Sequence, residues 1–152
     1  MKKILIFSII LILVIPNLLM AHCQIPCGIY DDNLRISLMK EHAKTIEKSI
    51  KEIEALTTGT AKNNNQLVRW IINKDEHADK IAEIVTYYFL AQRIKEPKST
   101  DKHENEHYVI RLKLLHKILV ASMKVKQNDD IEYVNDLKKA IRKFDEEYTK
   151  KP

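Results

Sequence analysis

Apolar residues recur every three or four positions along four separate stretches of this chain, and that spacing asks for helices that each bury one stripe. From about Leu34 to Leu56 the stripe is Met39, Ala43, Ile46, Ile50 and Ile53, with Lys and Glu on the other faces. A second, from about Gln66 to Ile94, uses Leu67, Ile71, Ala78, Ile81, Val85 and Tyr88, widened by Trp70 and Phe89. It weakens at Asn73-Lys74-Asp75, where a local irregularity would be tolerated. The third runs from roughly Glu104 to Lys126 through Tyr108, Leu112, Leu115, Leu119 and Ser122. The fourth follows Asn128-Asp129-Asp130 and uses Val134, Leu137, Ile141, Phe144 and Tyr148. Asp31-Asp32-Asn33 supplies good N-cap residues for the first helix. The breaks fall at Thr57-Thr58-Gly59-Thr60, at Pro97 with Ser99-Thr100-Asp101, and at the Asn128 cluster. No stretch alternates with period two. Four helices on short loops predict an all-α fold, an antiparallel four-helix bundle.

Ahead of the helices, residues 1–21 read as a secretory signal peptide. Lys2 and Lys3 open it, Ile4 to Ile15 is almost wholly apolar, and Leu19-Met20-Ala21 ends in the small residue that cleavage needs. The apolar run is about a dozen residues against the roughly 20 of a spanning helix, so cleavage is favoured over a membrane anchor. A lipoprotein cut before Cys23 would need a small residue where His22 stands. Removing 21 residues from 152 leaves 131, the size of one domain. The expected organisation is a hook at residues 22–30 and a bundle at 31–152, in an exported protein, periplasmic or secreted, that keeps no membrane segment after cleavage. Losing the two leader lysines lowers the formal charge from +5 to +3. That surplus suits a small anion. Basic and acidic residues are too evenly mixed for a nucleic-acid surface, and no basic stripe interleaves with aromatics.

Chemistry concentrates in His22-Cys23-Gln24-Ile25-Pro26-Cys27-Gly28-Ile29-Tyr30, which holds both cysteines and one of the two glycines. In an exported chain two cysteines suggest a disulfide, but one closing so small a loop would stabilise little. The alternative is a metal site. If His22 is the first residue, it offers an amine and an imidazole, Cys23 a backbone nitrogen and a thiolate, and Cys27 a second thiolate. Two nitrogens and two sulfurs in a plane suit nickel or copper. The five helical histidines are weaker candidates. Glu104-Asn105-Glu106-His107 carries a di-iron spacing once, without the second copy such a bundle needs. Solvated polar faces are expected for His42, His103 and His116.

His-Cys-x-x-Pro-Cys-Gly-x-Tyr directly after a leader resembles the nickel hook of the nickel-containing superoxide dismutases. Asn65-Gln66-Leu67-Val68-Arg69-Trp70 and Tyr88-Phe89-Leu90-Ala91-Gln92-Arg93 are also similar to members of that family. The resemblance implies a four-helix bundle assembled as a homohexamer, one nickel ion per subunit, and conversion of superoxide to dioxygen and hydrogen peroxide. It implies His22, Cys23 and Cys27 as metal ligands. Tyr30 then lines the anion's approach, and Tyr88 matches a second tyrosine nearby. Three positions depart from the pattern. Gln24 stands where the best-known members carry Asp, and Ser37 and His77 stand where they carry the Glu and Arg that hold the axial imidazole. An exported metal-binding bundle without turnover, and a disulfide-closed helical adaptor, are the alternative readings.

Overall fold

The computed structural model describes residues 26–59, 63–98 and 101–150, and the chain divides between Tyr30 and Asp31 into two units. The second unit is built from α1 (Asp32–Thr58), α2 (Asn64–Glu83) with a π-helical continuation (Ile84–Arg93), α3 (Lys102–Gln127) and α4 (Ile131–Thr149). Each helix opens on a side chain that satisfies an otherwise unpaired backbone N–H. Asp31 accepts from Leu34 N at 2.9 Å, Asn63 from Gln66 N at 3.1 Å, Asp101 from His103 N at 2.8 Å and Asp130 from Glu132 N at 2.8 Å. α1 stops at Gly59, where a side chain would meet the Ala55 carbonyl oxygen at 2.8 Å.

Each helix packs on its neighbours in sequence, and α4 closes back on α1. Cross-links between α1 and α4 fix opposite directions: Lys40 meets Asp145, and seven residues further along α1 Glu47 meets Lys138, seven residues back along α4. The core combines Met39, Ile46 and Ile50 of α1 with Ile81 and Phe89, Leu115 and Ile118, and Leu137, Ile141 and Phe144, all at most 1 % exposed. Burying each such side chain contributes roughly 1.5 to 3 kcal/mol. Among the described residues no helix is long and apolar enough to cross a membrane.

The stripes of α1 and α4 bury as their spacing requires, apart from a half-buried Tyr148. Two others shift. Ile71 is 36 % exposed, and Tyr108 and Leu112 are half-buried, so α3 enters the core only from Leu115 onward. At Asn73-Lys74-Asp75, where an irregularity would have been tolerated, the helix is regular, and polar contacts explain the weak stripe. Asn73 Nδ2 donates to Ser49 Oγ at 2.9 Å. Lys74, 2 % exposed, donates to the Lys126 and Asn128 carbonyls at 3.3 and 3.2 Å and to Asp129 at 2.8 Å, holding the α3–α4 turn against α2. The irregularity lies ten residues on, in the π-helical stretch.

Candidate functional site

In the hook, the described residues begin at Pro26. The Ile29 N–H donates to the Pro26 carbonyl at 2.9 Å, closing a turn over Cys27 and Gly28. Gly28 has φ +87°, and nothing lies within 4 Å of where a Cβ would sit. The glycine is therefore demanded by the sign of the dihedral rather than by space, and any other residue would cost roughly 1 kcal/mol or more. Cys27 presents an exposed, free thiol on this turn, and Tyr30 is 39 % exposed. A thiolate on a conformationally fixed turn is a soft donor of the type nickel takes, so the described part of the hook fits the metal. The expected leader at residues 1–21, His22 and Cys23 lie outside the described residues.

Immediately after the hook, α1 begins with a second constellation. Asp32 accepts from Tyr88 Oη at 2.6 Å, from Tyr148 Oη at 2.9 Å, and from Arg93 Nε and Nη2 at 2.8 and 2.7 Å. Asp31 takes the cap, so the Asp32 carboxylate is left to face the other helices. The π-helical stretch makes the arrangement possible. Residues five apart on an α-helix diverge by about 140°, whereas the Ile94 N–H to Phe89 carbonyl bond at 2.8 Å is an i to i+5 link. That wider turn places Tyr88 and Arg93 on one face. Tyr88 is 4 % exposed, and Phe89 beside it packs edge-on to Phe144 and Tyr148 at centroid distances of 4.9 and 5.3 Å. Arg35 and Arg111 cover the Tyr88 and Tyr148 rings at 5.1 and 5.5 Å.

Charge state follows from these contacts. Partial burial would raise the Asp32 pKa, but hydrogen bonds from Arg93, Tyr88 and Tyr148 outweigh it and hold the carboxyl below its ordinary range. Burial, then the bond to Asp32, pushes the Tyr88 phenol well above its usual value, and Tyr148 moves the same way. Tyr88 gives its one hydroxyl proton to an ionised acceptor. Toward any further group its oxygen accepts rather than donates.

The histidines divide. His103 and His116 are exposed. His42 departs from its expected polar face: it is half-buried, with Nδ1 2.9 Å from His77 Nδ1 across the α1–α2 seam. His77 is thereby engaged within the bundle, and Ser37 is exposed. His107 pairs with Glu147 of α4. Among the described residues no group of three or more His, Cys, Asp or Glu side chains could hold a metal ion. Asp32 and Tyr148 were not distinguishable in the sequence: the first reads as one of three equivalent cap residues, the second as the last position of a core stripe.

An all-α bundle with a cysteine-bearing turn ahead of its first helix defines the class. The family model described as nickel-containing superoxide dismutase matches residues 17–151, which include the hook and all four helices. The chain belongs to that family. It is accordingly a nickel-dependent oxidoreductase whose substrate is superoxide, with nickel as its cofactor. Comparisons with curated proteins and with solved structures found no match.

Proposed function

We propose that the mature enzyme begins at His22 and holds nickel through the His22 amine and imidazole, the Cys23 amide nitrogen and thiolate, and the Cys27 thiolate. The observation that carries this reading is the free, exposed Cys27 thiol on a turn fixed by Pro26 and the positive φ of Gly28. When bound, the metal supplies the one-electron chemistry that oxidises one superoxide to dioxygen and reduces another to peroxide. The chain's task is to hold the ligands, admit the anion and exclude competing oxidation of the thiolates. Tyr30 lines the approach. Tyr88 serves as a fixed phenol whose orientation is set by Asp32, its oxygen accepting a hydrogen bond from any further group rather than donating one.

The same reading makes residues 1–21 an export signal, residues 22–30 the hook and residues 31–152 the bundle. The protein is then exported, to the periplasm or the medium, keeps no membrane segment and works as a homohexamer. While Ala21 remains attached, the His22 nitrogen is an amide and cannot serve as an amine ligand, so cleavage creates the site. N-terminal sequencing with intact mass and metal content of exported protein should give His22 first, two free thiols in the metal-stripped chain and one nickel per subunit. A variant retaining one extra residue before His22 should lose activity while its far-UV circular dichroism stays unchanged. Full activity in that variant would overturn the ligand set.

A further inference from the structure

Two imidazoles face each other across the seam between α1 and α2. His42 Nδ1 lies 2.9 Å from His77 Nδ1, with the ring centroids 4.9 Å apart and the ring planes inclined at 64°. Both residues are half-buried, so each keeps a side open to solvent. Among the described residues neither ring has another hydrogen-bond partner. Only one proton fits between two nitrogens, so at least one Nδ1 turns a bare lone pair toward the other. Each histidine stands on regular helix next to a fully buried residue, Ala43 after His42 and Ala78 after His77. The rigid backbone therefore sets where the rings meet, as a pre-organised ligand pair requires.

The spacing selects a coordination geometry. Imidazole nitrogens bind a divalent ion at about 2.0 to 2.1 Å, so two of them 2.9 Å apart subtend about 90° at the ion. Adjacent corners of a square-planar or octahedral shell have that angle, whereas a tetrahedral shell would part the nitrogens to about 3.3 Å. Nickel and copper suit the first arrangement and zinc the second. The local field also favours a cation. Glu41 acts electrostatically on both rings and Glu76 on His77, against the single positive charge of Lys80. All three are exposed, and among the described residues none of their side chains is held in an ion pair.

We propose that His42 and His77 form a second metal site, a two-imidazole chelate for a further nickel ion that bridges α1 and α2, with water in the remaining positions. The site uses none of the hook residues, and with only two protein ligands the ion it holds is exchangeable. Calorimetry with nickel chloride as the probe, titrated into tag-free enzyme already loaded with nickel, should show one further equivalent bound. His42→Gln and His77→Gln should each weaken that uptake by more than roughly tenfold, since loss of a group that merely supports a metal ligand already costs that much. Proton NMR of the unmodified protein covers the case in which a substitution disturbs the seam. There, added paramagnetic nickel should broaden the ring signals of His42 and His77 before those of His103, His107 and His116. No further uptake, uptake unchanged in both variants, or broadening centred on the other histidines would overturn the assignment and leave the pair a hydrogen bond alone.

Discussion

Asp32 receives four hydrogen bonds from three side chains, contributed by the π-helical stretch and α4, and this makes it the residue on which the hook end of α1 depends. Two of the four bonds go to each carboxylate oxygen, so an amide in its place would keep at most two, and its NH2 group would face the donors of the other two. Asp32→Asn should therefore cost about 2 kcal/mol, the value of charge-assisted bonds discounted for partial exposure, measured by urea unfolding. Two pH signatures separate this from a generic loss. A carboxyl held below its ordinary value contributes stability above pH 3.8 that is lost as pH falls through its lowered native value. The unmodified protein should lose melting temperature in acid more steeply than Asp32→Asn. At the alkaline end the Tyr88 phenol is raised, so its contribution is present below its usual value of 10 and is lost as pH climbs through its native value. Removing the carboxylate should shift the titration of Tyr88 and Tyr148, followed by near-ultraviolet absorbance, to lower pH, while burial still holds it above the ordinary range. An unchanged tyrosine titration would show that Asp32 does not set the phenol.

At the scale of elements, the sequence spoke clearly where a periodicity or a cap was at stake and was silent where partners come from other helices. The stripe of α1, the cap at Asp31 and the turn residues of the hook are local patterns, each readable from its own few neighbours. The π-helical stretch has no such signature: Ile84 to Arg93 continues the apolar spacing of α2, and only the packing of Tyr88, Phe89 and Arg93 shows that the wider turn is used. Phe89 is the packing centre of that stretch, fully buried between Tyr88, Phe144 and Tyr148. Phe89→Ala should cost about 3 to 5 kcal/mol in the same unfolding assay. The α1–α2 seam carries the other unforeseen contact, the His42–His77 pair. Burial first, then neighbouring positive groups including Lys80, hold both imidazoles below their usual value of 6.5. Bases with lowered native pKa values favour the fold above about pH 6.5, and that advantage is lost as pH falls from there through the lowered values. Melting temperature should drop between pH 7.5 and pH 5, and the drop should be smaller in His77→Gln; an equal drop would exonerate the pair.

At the scale of the whole molecule, stability and catalysis are separable because the two rest on different groups. The core is a continuous set of apolar side chains from all four helices, capped at each start by its own Asp or Asn, and among the described residues no metal cage supports it. The proposed nickel donors, by contrast, belong to a short segment before α1, and the part of it described has its own local determinant in the Pro26 to Ile29 turn. A structural zinc domain behaves differently, since there metal binding and folding are one event. Here, stripping nickel with a chelator should abolish superoxide disproportionation while far-UV circular dichroism and the cooperative melting of the helices change little. Hydrogen exchange should keep the core amides of α1 and α4 protected in both forms, with any difference confined to the hook and its nearest contacts. Gly28→Ala probes the same separation from within the chain. It strains the hook turn by roughly 1 kcal/mol or more and touches no core residue, so it should weaken nickel retention with little effect on the bundle's melting. Loss of the helices on nickel removal would show instead that metal and core are a single cooperative unit.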